Sequence, residues 1–265
     1  MKIGAFDSGL GGLTVVKAIN EVFKGADILY IADTAYAPYG IKTHEEILNR
    51  CIELTDYLIK THNIEALIVA CNTATSAAIK YLRLNYPSLI VIGTEPGIKP
   101  AIQITKTLKV GVMATNVTLR GEKYQALVDE LSKDKEITLF EQACPGLVEQ
   151  IEKGEIFSET TKDMLRVWLT PMKENKVDTI VLGCTHYPLV QESIKEIMCE
   201  QINLIETGPA IAKRLNQLCK EKGHCKIDPL KISIYYTGTI NEIMIKEIFK
   251  DSKNKDEIKV RKCEI

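Results

Sequence analysis

The stretch Ile64-Glu65-Ala66-Leu67-Ile68-Val69-Ala70-Cys71-Asn72-Thr73 can be laid without a gap over Val177-Asp178-Thr179-Ile180-Val181-Leu182-Gly183-Cys184-Thr185-His186. In both, an acidic residue precedes a short, mostly apolar run, followed by a small residue and a cysteine. A near-continuous apolar run of this length predicts a strand covered on both faces, as in a parallel sheet. The carboxyl ends of such strands are where open α/β sheets take their ligands. Two thiols at two such ends, on halves of similar design, can face each other across one pocket. That arrangement suits a reaction that needs one acid and one base on opposite faces of a small substrate.

Two further matches flank this pair. Val110-Gly111-Val112-Met113-Ala114-Thr115 repeats Ile3-Gly4-Ala5-Phe6-Asp7-Ser8, and Ile205-Glu206-Thr207-Gly208-Pro209 echoes Ile92-Gly93-Thr94-Glu95-Pro96. Three matches in the same order indicate an internal duplication, and its period is far too long for a solenoid. Strands alternating with amphipathic helices predict an α/β fold of two pseudo-symmetric lobes. Each lobe is expected to hold a mainly parallel sheet flanked by helices, with the active site between them. The first lobe would comprise residues 1–94 and 207–265 and carry Asp7 and Cys71; the second, 95–206, would carry Cys184 and His186. Locally, strands are predicted at Lys2–Phe6, Asp27–Ala32, Leu89–Ile92 and Ile232–Tyr236. Helices are predicted at Leu13–Phe23, after Cys71 through Tyr81, at Leu119–Leu131 and at Asn241–Lys250, with Pro188 opening another. Thr43 and Glu46 have capping-box spacing, and the helix behind them sets Ile47, Cys51, Leu54 and Leu58 on one face, which makes Cys51 a core residue. Asp251 to Glu257 reads as a solvated surface turn.

Composition narrows the function. The chain has 265 residues, an ordinary apolar share and a formal net charge of −1, so bulk charge offers nothing to nucleic acid or to a membrane surface. No apolar run is long enough to cross a bilayer, and Lys2 falls too early for a secretory segment, so a cytoplasmic location is expected. The eight cysteines should then be reduced thiols. No C-x-x-C pair occurs, and Cys219 with His224-Cys225 has no second cluster at zinc spacing, so no metal is expected.

Four segments carry polar groups at expected strand ends. Asp7-Ser8-Gly9-Leu10-Gly11-Gly12 invites a dinucleotide reading, but Thr14 stands where the fingerprint needs its third glycine, and Asp7 would repel a pyrophosphate. A tight strand-to-helix turn, or a site for a substrate bearing an ammonium and carboxylates, remain as readings. At Cys71, a phosphatase-type Cys-x5-Arg loop fails because position 77 is Ala77. Packing alone would explain one buried cysteine. Asn72 and Thr73, however, set an amide and a hydroxyl where a helix begins, and a helix N-terminus favours a thiolate. His186, two residues after Cys184 and ahead of a helix, is a candidate partner for a thiol or a substrate carboxylate. Pro38-Tyr39-Gly40 reads as a sharp turn with an aromatic at its tip, either a plain surface turn or a site loop.

Taken together, Phe6 to Leu13, Pro38-Tyr39-Gly40, Ala70 to Thr75 and Leu182 to Leu189 closely resemble the glutamate racemases, within the aspartate/glutamate racemase superfamily. Val110 to Thr118, Ala143 to Val148 with Glu152, and Gly208-Pro209-Ala210 extend the resemblance over nearly the whole chain. Thr75 and His186 stand where aspartate-specific members typically carry His and Glu. Tyr36 and Glu149 depart from the Arg and Pro frequent at those places. The resemblance implies interconversion of L- and D-glutamate without pyridoxal phosphate, metal or other cofactor, feeding peptidoglycan synthesis. It implies that Cys71 acts on D-glutamate with help from Asp7, and Cys184 on L-glutamate with help from His186 and, behind it, Glu152. Substrate would be held by Asp7, Ser8, Pro38, Tyr39, Gly40, Asn72, Thr73, Thr118, Thr185 and His186. The alternatives are a racemase of aspartate or another acidic amino acid, and a non-catalytic amino-acid-binding protein. Partners are expected to be the small substrate and at most a second copy as a homodimer, with no nucleic acid and no membrane.

Overall fold

The computed structural model describes residues 1–132 and 137–265. Ten strands form two sheets. The strands are β1 (Lys2–Asp7), β2 (Asp27–Ala32), β3 (Ala66–Val69), β4 (Ile90–Gly93), β5 (Lys109–Ala114), β6 (Thr138–Ala143), β7 (Thr179–Gly183), β8 (Asn203–Ile205), β9 (Lys231–Tyr236) and β10 (Lys259–Lys262). One sheet runs β10-β9-β2-β1-β3-β4 and the other β6-β5-β7-β8, with every pairing parallel. The order β2-β1-β3-β4 is therefore matched one for one by β6-β5-β7-β8.

The register repeats as well. Ile3 sits opposite Ala66 in the first sheet, and their counterparts Val110 and Thr179 are opposite each other in the second. Ile68 pairs with Ile92, and Val181 with Ile205. A one-residue slip would turn every side chain to the other face, so shared register means shared inward and outward sets. The duplication thus extends from sequence to hydrogen-bond ladder. It also puts Cys71 and Cys184 just past equivalent strand ends.

Helices cover both sheets: α1 (Leu13–Val22), α2 (His44–His62), α3 (Asn72–Asn85), α4 (Ile98–Ile104), α5 (Asn116–Arg120), α6 (Glu122–Ser132), α7 (Leu147–Lys153), α8 (Glu159–Glu174), α9 (Gln191–Met198), α10 (Gly208–Glu221) and α11 (Glu242–Ile248). Their cover explains why β1 and β3 are apolar on both faces. α1 packs against α10, so the chain returns to the first sheet after β8. α2 begins in the capping box: Thr43 accepts the Glu46 N–H, and Glu46 accepts the Thr43 N–H. Its inner face buries Ile47, Cys51, Leu54 and Leu58, and Cys51 is fully enclosed.

Several local expectations differ from the structure. The helix expected over 119–131 is two helices, α5 and α6, meeting at Gly121, which caps α5. α3 continues past Tyr81 to Asn85. Pro188 opens a short 3-10 turn, Tyr187–Val190, before α9. Tyr39 is not at a surface tip: it begins a 3-10 turn, Tyr39–Ile41, and is buried. The edge strands β6 and β10 had no sequence signal. Both lie at sheet margins, and the Lys-Val-Arg-Lys of β10 carries charge where an exposed edge discourages further pairing.

Leu54→Ala should cost about 2–5 kcal/mol of stability, because it empties a fully buried position between α2 and the sheet. Urea denaturation monitored by circular dichroism measures this, and a loss below about 1 kcal/mol would mean that this face is not tightly packed.

Candidate active site

The site is assembled where the turn after β1 meets the second half of the molecule. Asp7 ends β1 fully buried, and its carboxylate accepts the Gly9 N–H at 2.8 Å, the Ser8 hydroxyl at 3.2 Å and the Thr185 hydroxyl at 2.7 Å. Thr14, at the start of α1, donates to the Thr185 carbonyl at 2.9 Å. The Leu10 N–H donates to Glu152 Oε1 at 2.7 Å, and the same oxygen lies 2.6 Å from His186 Nε2. The Gly11 N–H also points at Nε2, at 3.3 Å. One nitrogen cannot donate to Glu152 and accept from Gly11 at once. The shorter contact to a carboxylate decides the matter, so Nε2 carries hydrogen. Nδ1 then faces Cys184 Sγ at 3.7 Å.

The glycines of this turn have a steric reason. A Cβ at Gly11 would overlap the His186 ring, and one at Gly9 would overlap the Glu152 carboxyl. The Gly-x-Gly-Gly segment is thus a seat for a histidine–glutamate pair brought from the other half. It is not a phosphate cradle.

A cavity of about 130 Å³ opens beside this pair. Cys71 and Cys184 both line it, with Ser8, Asn72, Thr73, Thr185, His186 and the backbone turn Pro38-Tyr39-Gly40. Cys71 is also the N-cap of α3, and its sulfur accepts the Ala74 N–H at 3.4 Å. Asn72 donates to the Thr94 carbonyl at 3.4 Å, while its Oδ1 is buried with no hydrogen-bond partner among the described residues. Asp7 and Glu152 stand one layer behind the lining, reaching it through Thr185 and His186. Thr118 is also set back. Its hydroxyl bonds Thr115 at 3.0 Å, Thr115 bonds Thr73 at 2.9 Å, and Thr118 lines a neighbouring cavity on the far side of Asn72.

Sequence reasoning passed over Thr115, Asn116 and Cys144, which line the same cavity. The duplication held a signal for the first of these, since Thr115 is the counterpart of Ser8. Cys144 had none beyond its place in the Cys-Pro-Gly turn.

Residues 8–215 match the family model described as Asp/Glu/Hydantoin racemase. A glutamate racemase of Aliarcobacter butzleri is 63% identical over 265 residues, covering 100% of both chains. This chain belongs to the Asp/Glu racemase family, among its glutamate racemases. Solved glutamate racemases agree in fold. The Escherichia coli enzyme in complex with L-glutamate and an activator superposes with a TM-score of 0.84 at 26% identity, covering 99% of this chain and 98% of that one. The Francisella tularensis enzyme in complex with D-glutamate gives 0.80 at 27% identity, covering 100% and 97%.

The electrostatics differ between the Cys71 and His186 sides of the site. Burial pushes the Cys71 thiol well above the ordinary range, the Asp7 charge adds to the rise, and the Ala74 N–H opposes it. Burial likewise raises Asp7, against the His186 charge and the Thr185 hydrogen bond. At His186, burial disfavours the charged ring, but the hydrogen bonds to Cys184 and Glu152 outweigh it and lift the pKa well above the usual value. Among the described residues, no group of three or more His, Cys, Asp or Glu side chains is arranged to hold a metal.

Because His186 is raised in the folded state, its charged form stabilises the protein fully below the ordinary histidine range. That contribution is lost as pH rises through the raised value. Glu152→Gln removes one support of the imidazolium, so the His186 titration should move to lower pH in an NMR titration of the ring. The variant's loss of stability should be largest in acid and shrink towards alkaline pH. An unmoved titration would show that Glu152 does not hold the charge.

Proposed function

We propose that this chain is a cofactor-independent glutamate racemase that moves one proton off, and another onto, Cα by way of Cys71 and Cys184. The observation that carries this reading is that both cysteines, from equivalent strand ends of a duplicated fold, line one small cavity. Inverting a carbon needs a group on each face, one ionised and one protonated at the outset.

With L-glutamate bound, the Cys184 thiolate, paired with the His186 imidazolium, takes the α-proton. The C–H electron pair stays on Cα and spreads into the α-carboxylate. The Cys71 thiol, which burial keeps protonated, delivers its proton to the opposite face and is left as thiolate. D-glutamate meets that second state and reacts in reverse. Asp7 assists Cys71, and Glu152 supports the charge on His186 from behind.

The heavier task is stabilising carbanion character, which oriented donors around the carboxylate share. Ser8, Asn72, Thr73 and Thr185 supply hydroxyl and amide groups at the cavity wall, and Thr118 steadies Thr73 through Thr115. The unsatisfied Asn72 Oδ1 is an acceptor suited to the substrate ammonium, since a buried acceptor without a donor is costly. Pro38, Tyr39 and Gly40 form a further part of the wall, with Thr115, Asn116 and Cys144. The two lobes, 1–94 with 207–265 and 95–206, would shut around the amino acid and exclude water during transfer. The enzyme would work in the cytoplasm, as a monomer or a homodimer, and supply D-glutamate for peptidoglycan.

Circular dichroism of L- or D-glutamate incubated with the protein and no added cofactor tests the reading. Racemisation should proceed from either side, and solvent deuterium should enter Cα. Cys71→Ser and Cys184→Ser should each lower the rate by about 10²-fold or more. Turnover of aspartate alone, or full activity in both serine variants, would overturn it.

A further inference from the structure

Asp33 and Arg50 form the best-made buried ion pair among the described residues, and nothing in the proton transfer uses them. Arg50, on α2, donates through Nε to Asp33 Oδ2 at 2.8 Å and through Nη2 to Oδ1 at 2.7 Å. Asp33 is fully buried, and the Arg50 side chain is nearly so. Such a pair contributes little net stability, because desolvating both charges offsets their attraction. Its geometry, however, is rigid: the fork fixes both carboxylate oxygens.

Those oxygens each take one more bond. Oδ1 accepts the Thr237 hydroxyl at 2.9 Å, and Oδ2 accepts the Tyr39 hydroxyl at 2.7 Å. Tyr39 is itself buried, and with Gly40 it lines the cavity that holds the two thiols. Arg50 is anchored in turn, Nη1 donating to Glu53 at 2.9 Å and to the Ile265 carbonyl at 3.1 Å. Asp33 directly follows β2, and its N–H donates to the Asp7 carbonyl at 2.9 Å. The tips of β1 and β2 therefore carry two buried aspartates with different neighbours. Asp7 turns to Thr185 and the thiol site, while Asp33 turns to α2 and the Pro38–Gly40 wall.

We infer that Asp33 and Arg50 are positioning residues for substrate binding: the ion pair holds the Tyr39 hydroxyl and so fixes the cavity wall formed by Pro38, Tyr39 and Gly40. Neither touches the reacting atoms. Their side chains reach the cavity wall through the Tyr39 hydroxyl, so their effect falls on binding and leaves the proton transfers alone. This inference rests on the racemase reading above.

A double-mutant cycle on the full chain tests it. Tyr39→Phe removes the hydroxyl and little volume. It should raise KM for both enantiomers by about 3- to 10-fold, the range of one lost hydrogen bond, with kcat within about twofold. Enantiomers have equal free energies in water, so kcat/KM must fall by the same factor in both directions, which checks the data internally. Arg50→Lys keeps the charge but loses the fork. It should raise KM by a similar factor in the wild-type background and by less than about twofold in the Tyr39→Phe background, where the route is already cut.

A merely structural role would give equal factors in both backgrounds, and that result overturns the inference. So does an unchanged KM in Tyr39→Phe alone, which stands as the deciding variant if Arg50→Lys fails to fold. A wild-type protein that racemises neither enantiomer would instead sink the proposed function and is read from the same assay.

Discussion

A hydroxyl on one half of the molecule and a carboxylate on the other, Thr185 and Asp7, meet at 2.7 Å in the interior. Around this contact the Asp7–Gly12 turn receives the second half of the chain: Leu10 holds Glu152, and Gly9 and Gly11 leave room for Glu152 and the His186 ring. Everything at the cavity depends on that seating. It aims His186 Nδ1 at Cys184, it keeps Asp7 out of water, and it brings two strand ends from separate sheets to one void. A buried polar contact is costly when half made, so the two halves have little freedom to meet in another register.

Duplication explains why two thiols face one cavity, and divergence explains why they differ. Under the repeat, Asp7 corresponds to Ala114, and His186 to Thr73. Cys71 therefore has a buried carboxyl close enough for its charge to raise the thiol, while Cys184 has an imidazole at 3.7 Å. Matching strands with unmatched neighbours set the two thiols in different surroundings, one near a buried carboxyl and one beside an imidazole.

The parts of the site that were legible in the sequence share one physical property. Each lies at the end of a strand whose apolar run is strong, and strand ends of parallel sheets are ligand edges. Cys71, Cys184, Ser8, Asn72 and Thr185 belong to this class, and all line the cavity. At Pro38-Tyr39-Gly40 the residues alone left a surface turn and a site loop open, since Pro and Gly on either side signal a turn and nothing local announces a buried acceptor; only the family resemblance pointed Tyr39 to the substrate. That acceptor, Asp33, is six residues away from Tyr39, and the arginine that holds it is seventeen residues after Asp33, on α2. Thr118 and Glu152 are one step removed from the void because hydroxyl and imidazole relays intervene, and such relays have no sequence period.

By itself the sequence determined the two-sheet α/β plan, its internal repeat and the pairing of the two cysteines, because buried parallel strands need continuous apolar runs and those runs can be aligned by eye. Where the two ring nitrogens of His186 point, why Gly9 and Gly11 must lack side chains, and what clamps the Pro38–Gly40 wall were decided only by tertiary structure. Those features depend on groups from distant parts of the chain meeting within about 3 Å, the range of a hydrogen bond, and spacing along one segment carries no record of such meetings.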